Sequence, residues 1–204
     1  MVGERWTLLV IRELMMGPKR YTDLRTGLPG IPTDVLTARL RTLEEAGFVR
    51  RRELPRPAPA TVYELSDRGQ RLRRVILALG QVGMADLAGP ERGEDIQAER
   101  LVLALRISFR RERFADLSET YDLSIDGEPF AVEVRDGDVD TRHGTAPGAA
   151  ISLRTDALTF DALLRGQLTA ADALSDGRAV LEGERKVLNR FLEAFSFKTP
   201  DDDR

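Results

Sequence analysis

Hydrophobic positions in the first third of the chain recur at helical spacing, and the residues that interrupt them mark where each helix stops. Trp6, Leu9, Val10 and Leu14 form one stripe, and Gly17-Pro18 ends it with a flexible exit followed by a residue that cannot continue a helix. Leu24 and Leu28 share one face of a short second helix, with Thr22 and Asp23 at its start and Pro29-Gly30-Ile31-Pro32 as its stop. Thr33 is expected to cap a third helix. There Leu36, Leu40 and Leu43 make the buried stripe, Gly47 is the exit, and Asp34, Thr37, Arg39 and Arg41 show on the other face. Two β-like runs, residues 48–54 and 62–65, flank Pro55-Arg56-Pro57-Ala58-Pro59-Ala60-Thr61. The prolines stiffen that loop without allowing a helix, so the pair predicts a hairpin with a projecting tip. Ser66 with Asp67 then opens a long helix carrying Leu72, Val75, Ile76, Leu79 and Val82, a seam close to a heptad period that suits pairing with a second copy.

Beyond residue 95 the pattern changes. After a helix predicted over residues 96–107, Tyr121, Leu123 and Ile125 alternate with polar neighbours, and Phe130, Val132 and Val134 do the same. Asp126-Gly127 and Asp136-Gly137 are turn dipeptides. They predict an antiparallel meander that continues through residues 139–141 and 151–153. Three helices follow, over residues 156–165, 169–175 and 184–195, with a short strand at 178–182 between the last two. Thr169 caps the second of them, and Val187, Leu188, Phe191, Leu192 and Phe195 share one face of the third. The two halves together predict an α+β chain: a winged helix-turn-helix domain over residues 1–88 and an antiparallel sheet covered by helices over residues 96–197. Ala88-Gly89-Pro90-Glu91-Arg92-Gly93-Glu94-Asp95 supplies the break, with the linker placed at 89–95, and the polar residues 198–204 are expected to be a disordered tail.

Charge sharpens that division. The whole chain carries only −3. Residues 1–88, however, hold 15 Lys and Arg against 10 Asp and Glu, or +5, and residues 89–204 hold 16 against 24, or −8. A basic front and an acidic rear imply two jobs. With no cysteine in its 204 residues, the chain has no disulfide, thiolate metal cage, thiol nucleophile or thiol switch. No apolar stretch approaches the ~18 residues of a membrane span, and the opening residues lack the layout of a secretory signal. A soluble cytoplasmic protein with no membrane partner is expected.

Two short helices and a tight turn followed by an Arg-rich hairpin is the arrangement that sets one helix in the DNA major groove and the hairpin on the flanking backbone. Thr33, Asp34, Thr37, Arg39 and Arg41 are the candidates on the reading helix, and Arg50, Arg52 and Arg56, with Arg51 between them, are the candidates on the hairpin. Arg39 and Arg56 stand first among these. For any single arginine the bland alternative is a solvated surface charge; the ordered set weakens that alternative. The residues also resemble a known family. Trp6-Thr7-Leu8-Leu9-Val10-Ile11-Arg12-Glu13-Leu14, Gly17-Pro18-Lys19-Arg20-Tyr21-Thr22-Asp23-Leu24, the run from Leu36 to Gly47, and Tyr63-Glu64-Leu65-Ser66-Asp67-Arg68-Gly69 are similar to the HxlR family of bacterial regulators. That resemblance spans residues 3 to about 85. It implies a winged-helix homodimer on double-stranded operator DNA, with the helix beginning at Thr33 as reader and the tip near Arg56 as wing. Two departures are that family members usually carry a further segment before the Trp-Thr motif, and that this segment often holds a cysteine.

Residues 96–197 resemble a sterol carrier protein type domain. The resemblance rests on Ile151-Ser152-Leu153-Arg154-Thr155-Asp156-Ala157-Leu158, Leu163-Leu164-Arg165-Gly166-Gln167-Leu168, Ala171-Asp172-Ala173-Leu174, Gly177-Arg178 and the helix bearing Phe191, Leu192 and Phe195. It implies an apolar tunnel for a lipid-like or polyketide-like effector, with Phe130, Val132, Leu164, Leu168, Leu174, Phe191 and Phe195 as lining candidates. The same residues are core by default, since only a core left unfilled becomes a pocket.

Catalytic chemistry finds little support. His143 is the only histidine and is expected on a surface loop; there is no nucleophile elbow, phosphate loop or dinucleotide fingerprint. Asp136, Asp138 and Asp140 alternate along one strand without the spacing of a calcium loop, so a solvated strand face accounts for them. No catalytic residue, metal or cofactor is expected. The sequence reads as a non-enzymatic transcriptional regulator whose rear domain takes a small apolar effector. Its rival is a carrier or accessory protein that holds a lipid-like or polyketide-like ligand and uses the winged-helix half only to dimerise.

Overall fold

Helix α1 (Thr7–Glu13) runs on through one 3-10 turn, Leu14–Met16, until Gly17 at φ 134° breaks it. The computed structural model describes residue 4 and residues 6–55, 59–84 and 96–197, and the chain falls into two compact units, Met1–Leu79 and Gly80–Arg204. The predicted linker at 89–95, the tail at 198–204 and wing residue Arg56 lie outside the described residues.

In the first unit, β1 (Lys19–Arg20) leads into α2 (Tyr21–Gly27), and α3 (Thr33–Glu45) follows after the turn. Leu24, Leu28, Leu36, Leu40 and Leu43 are buried, as are Val10, Ile11 and Leu14, as their helical spacing predicts. The caps differ from the sequence reading. Asp23, not Thr22, closes the start of α2, its carboxylate accepting from the Arg20 backbone N–H at 2.9 Å. At α3 Pro32 holds the capping position and Thr33 is the first helical residue. Helix α3 ends at Gly47, where φ of 71° lets the Phe48 N–H reach the Leu43 carbonyl at 2.9 Å.

The hairpin is β2 (Val49–Leu54) and β3 (Ala60–Leu65), and β1 adds to the free side of β3 in the antiparallel order β1-β3-β2. The expected single long helix is two: α4 (Asp67–Gln70) and α5 (Arg73–Met84). Ser66 does cap α4, accepting from the Gly69 N–H at 3.1 Å. Gly69 lies so close to the Phe48 carbonyl that a Cβ would sit 2.1 Å from its oxygen, so α4 is pinned on the sheet and the helix restarts beyond it. On α5, Val75, Leu79 and Val82 are exposed.

Among the described residues of this unit, the buried charges are Glu13 and its partner Lys19. The Glu13 carboxylate, 5% exposed, accepts from Lys19 Nζ at 3.0 Å and from Arg12 Nη2 at 2.7 Å. Gly27 makes room for it, since a Cβ there would lie 2.2 Å from Glu13 Oε2.

The second unit, which begins at Gly80 within α5, continues with α6 (Ala98–Ser108) and builds one five-stranded sheet in the order β6-β5-β4-β7-β8. Its strands are β4 (Glu119–Ile125), β5 (Glu128–Arg135), β6 (Asp138–His143), β7 (Ile151–Thr155) and β8 (Ala179–Gly183). Helices α7 (Ala157–Leu164), α8 (Ala170–Ser175) and α9 (Arg185–Ala194) complete it. Strands β4 to β6 form the predicted meander, but β7 does not extend it. It pairs parallel to β4, with Tyr121 opposite Ile151 and Leu123 opposite Leu153. Residues 144–150 carry the chain from one edge strand to the far side of β4, held there by Gly144 N–H to the Pro129 carbonyl (2.9 Å), Ala146 N–H to Asp122 Oδ1 (2.8 Å) and Ala150 N–H to the Thr120 carbonyl (2.8 Å). These are long-range bonds that alternation along a strand does not encode.

Among the described residues no helix is long and apolar enough to cross a membrane.

Candidate nucleic-acid interface

The exposed side of α3 follows from its buried one. With Leu36, Leu40 and Leu43 turned inward, Thr33, Asp34, Thr37, Ala38, Arg41 and Thr42 line one open groove. All but Arg41 are short, so a partner can approach the helix backbone closely. The Thr37 and Thr42 hydroxyls donate to the carbonyls of Thr33 (2.8 Å) and Ala38 (2.9 Å), which orients them on the helix surface. Arg41 Nε meets Glu45 Oε1 at 2.9 Å with both side chains well exposed, a pair that contributes little and is readily exchanged.

Arg39 stands elsewhere. Its side chain is only 23% exposed and pairs with Glu4, and it takes no part in the groove. Helical geometry explains this: Asp34, Thr37, Ala38, Arg41 and Thr42 fall on one face at steps of three and four, and Arg39 lies one position off it. Sequence reading also passed over Tyr21, whose hydroxyl donates to the Thr33 carbonyl at 2.9 Å and lies 3.3 Å from Thr37 Oγ1. Tyr21 therefore ties the start of α2 to the start of α3. Ala38 and Thr42 were missed as well, although their spacing from Asp34 and Thr37 was available.

On the hairpin, residues 50–53 are all exposed. Arg50 and Arg52 share one face, and both donate through Nε to Glu64, at 2.7 Å and 3.0 Å. Burial pushes the Glu64 carboxyl up, but bonds from the two arginines and their charges more than offset this and hold its pKa below the ordinary 4.5. Arg51 points the other way, its guanidinium 5.4 Å from the centre of the Tyr63 ring and its Nε 3.3 Å from Glu44 of α3. The three arginines are thus divided between two duties. Arg51 braces hairpin to helix, and Arg50 with Arg52 faces outward.

The rear candidates have a different setting. Phe130, Val132, Leu164, Phe191 and Phe195 are almost wholly buried, and Leu168 and Leu174 are half-buried. Phe191 packs 4.7 Å from Phe195 and 4.8 Å from the edge-on ring of Tyr121, with Phe160 at 6.3 Å, and Phe109 lies 5.3 Å from Phe195. Tyr121 donates to Glu119 Oε2 at 2.8 Å, and Glu119 pairs with Arg190. Burial, reinforced by that carboxylate, pushes the Tyr121 hydroxyl well up from its ordinary value, so it stays protonated.

The two polar features set aside as bland are placed more closely than expected. His143 ends strand β6 rather than sitting in a loop, its ring 4.8 Å from Phe130 and its Nε2 3.3 Å from Glu99 Oε1. Of the three aspartates, Asp136 is in the turn at φ 53°, Asp138 is exposed and 3.5 Å from Arg111, and Asp140 pairs with the buried Arg106.

Comparison with known proteins matches both halves. The HxlR-like helix-turn-helix model covers residues 1–89, and the SCP-2 sterol transfer family model covers residues 102–196. An HTH-type transcriptional regulator of Synechocystis is 37% identical over 83 residues, which are 41% of this chain and 62% of that relative, so the chain spans about three fifths of its length. The HTH-type transcriptional regulator YodB of Bacillus subtilis is 36% identical over 75 residues, 37% of this chain and 67% of YodB. Among solved structures, the redox regulator HypR in its oxidized form is 28% identical with a TM-score of 0.40, over 43% of this chain and 90% of HypR.

Proposed function

We propose, for a chain that belongs to the HxlR-like helix-turn-helix family and carries an SCP-2 sterol transfer family domain behind it, that it is a dimeric transcriptional regulator. In this reading α3 reads a duplex in the major groove while the β2–β3 hairpin holds the flanking backbone. The observation that carries the reading is the groove of Thr33, Asp34, Thr37, Ala38, Arg41 and Thr42 on a helix whose opposite side is core, beside a hairpin with Arg50 and Arg52 turned outward. A major groove about 12 Å wide admits a helix, and short polar side chains with one arginine suit contact with base edges and phosphates. Thr33, Asp34, Thr37 and Arg41 are the proposed reading residues, and Arg50, Arg52 and Arg56 the proposed backbone contacts. Arg39 moves to a supporting place through Glu4. The exposed Val75, Leu79 and Val82 of α5 support pairing with a second copy through the near-heptad seam.

The rear domain is the proposed effector module, and its ligand a small apolar molecule. The SCP-2 match supports this. Phe191, Phe195 and Tyr121 are in mutual contact, so a ligand that enters between them displaces the α9 aromatic face, and it shifts DNA binding only if it favours one of two states.

The test is a salt titration of binding to the DNA upstream of the coding region against scrambled DNA. Phosphate contacts alone bind both and fade steeply with salt; base reading preserves a preference for the upstream duplex. Equal binding to both across several native upstream regions would overturn the regulator and favour the carrier.

A further inference from the structure

We propose that Glu64 is a positioning residue of the DNA interface: its carboxylate holds Arg50 and Arg52 side by side as a preformed phosphate clamp on the outer face of the hairpin. The inference rests on the DNA-binding reading above and adds an assignment that charge alone would reverse, since a carboxylate near a DNA surface is ordinarily unfavourable.

Register places the three residues together. Glu64 lies directly opposite Arg50 across β2 and β3, and Arg52, opposite Val62, is on the same face two residues along. Residues two apart on a strand are about 7 Å apart along the backbone and their like-charged guanidiniums repel one another, yet one carboxylate bridges them. Each oxygen serves one arginine: Oε1 accepts from Arg50 Nε at 2.7 Å and Oε2 from Arg52 Nε at 3.0 Å. The carboxylate uses one of the five N–H donors of each guanidinium and leaves the four terminal donors outside this bond, which is the edge that recognises phosphate through a fork.

The charge arrangement is layered. The Glu64 side chain is 12% exposed, whereas those of Arg50 and Arg52 are 64% and 47% exposed. An approaching phosphate therefore meets two cations first, with the anion beneath them. Two long side chains that would otherwise be ordered at the moment of binding are ordered beforehand, which removes part of the cost of association. Arg51, on the opposite face against Tyr63 and Glu44, keeps the strand itself in place.

Glu64→Gln separates this from simple electrostatics, because it removes a negative charge while keeping the shape. The expected result at fixed salt is binding to the upstream and scrambled duplexes weaker by at least about fivefold, the factor for ordering two long side chains on binding. In an Arg50→Ala, Arg52→Ala background the same change should not weaken binding, since only the repulsion between carboxylate and phosphate is left to remove. Tighter or unchanged binding by Glu64→Gln in the otherwise native chain, or an equal loss in the double-alanine background, overturns the clamp. Thermal unfolding of each variant checks the fold. If Glu64→Gln does not fold, Arg50→Lys with Arg52→Lys keeps both charges without the forks and should weaken binding similarly; unchanged affinity there also overturns the clamp. Failure of the native chain to bind any duplex would instead overturn the functional reading itself.

Discussion

The proposed reading face of α3 and the aromatic cluster of the rear sheet were both singled out by residue type, and they came out differently. On α3, Thr33, Asp34, Thr37 and Arg41 are exposed together on one groove. In the rear domain Phe130, Val132, Leu164, Phe191 and Phe195 are buried and pack against neighbours. The difference lies in what burial does to each kind of side chain. A charged or hydroxyl group buried without a partner is strongly destabilising, so a row of them opposite a leucine stripe has to face outward. A phenylalanine is equally at home in a packed core and on a cavity wall, and its spacing is the same in both.

The largest expected effect tests the rear half of this contrast. Phe191→Ala should destabilise the second unit by about 3–5 kcal/mol in urea or thermal unfolding if the ring fills a close-packed core. A loss below about 1 kcal/mol would mean that Phe191 already borders empty space, and would support a preformed pocket. Next, Gly27→Ala should cost about 1–3 kcal/mol, because its methyl would press on the buried Glu13 carboxylate and disturb the pair with Lys19. A neutral outcome in denaturant titration would show that Glu13 has room to turn aside.

On the front face, Arg41→Ala should remove about 1–3 kcal/mol of discrimination between upstream and scrambled DNA if Arg41 makes a bidentate base contact. Arg39→Ala should weaken both duplexes alike and by less, since its guanidinium is engaged with Glu4. Competition binding with the two duplexes reads this directly, and the reverse ranking would return Arg39 to the reading face.

The smallest effect concerns Asp156, which caps α7 by accepting from the Thr159 N–H at 2.8 Å and from its hydroxyl at 2.7 Å. Burial raises its pKa, but these bonds outweigh it and hold the folded value below the ordinary 3.8. The capping contribution is therefore complete above about pH 3.8 and is lost as pH falls through the lower folded value. Asp156→Asn should lie within about 1 kcal/mol of the native protein at pH 7, since asparagine caps nearly as well, and should lack that acid-side decline. Urea unfolding at neutral pH and below pH 4 checks both; parallel declines would place the acid sensitivity elsewhere.

Local patterning was enough to locate most elements. The leucine stripes of α2 and α3, the β2–β3 hairpin, the β4–β6 meander and the caps Ser66 and Thr169 were all legible, because each depends on neighbours within a few residues. Arg39 was misplaced because one step along a helix turns a side chain by about 100°, and its partner Glu4 is remote in sequence. Tyr21 and Glu64 were passed over for a similar reason: one bonds across two helices and the other across two strands, and neither residue type advertises such a role.

By itself, then, the sequence determined two segments of opposite net charge, residues 1–88 and 89–204, their helical and strand periods, the chemistry available to each surface, and the absence of any thiol. Tertiary structure decided the rest: that β7 runs parallel beside β4, that the helix after β3 breaks where Gly69 meets Phe48, which arginines face outward and which are held by a carboxylate, and that the rear phenylalanines touch one another. Those outcomes depend on long-range hydrogen bonds and close packing between segments far apart in the chain, and such contacts leave no periodic trace along it.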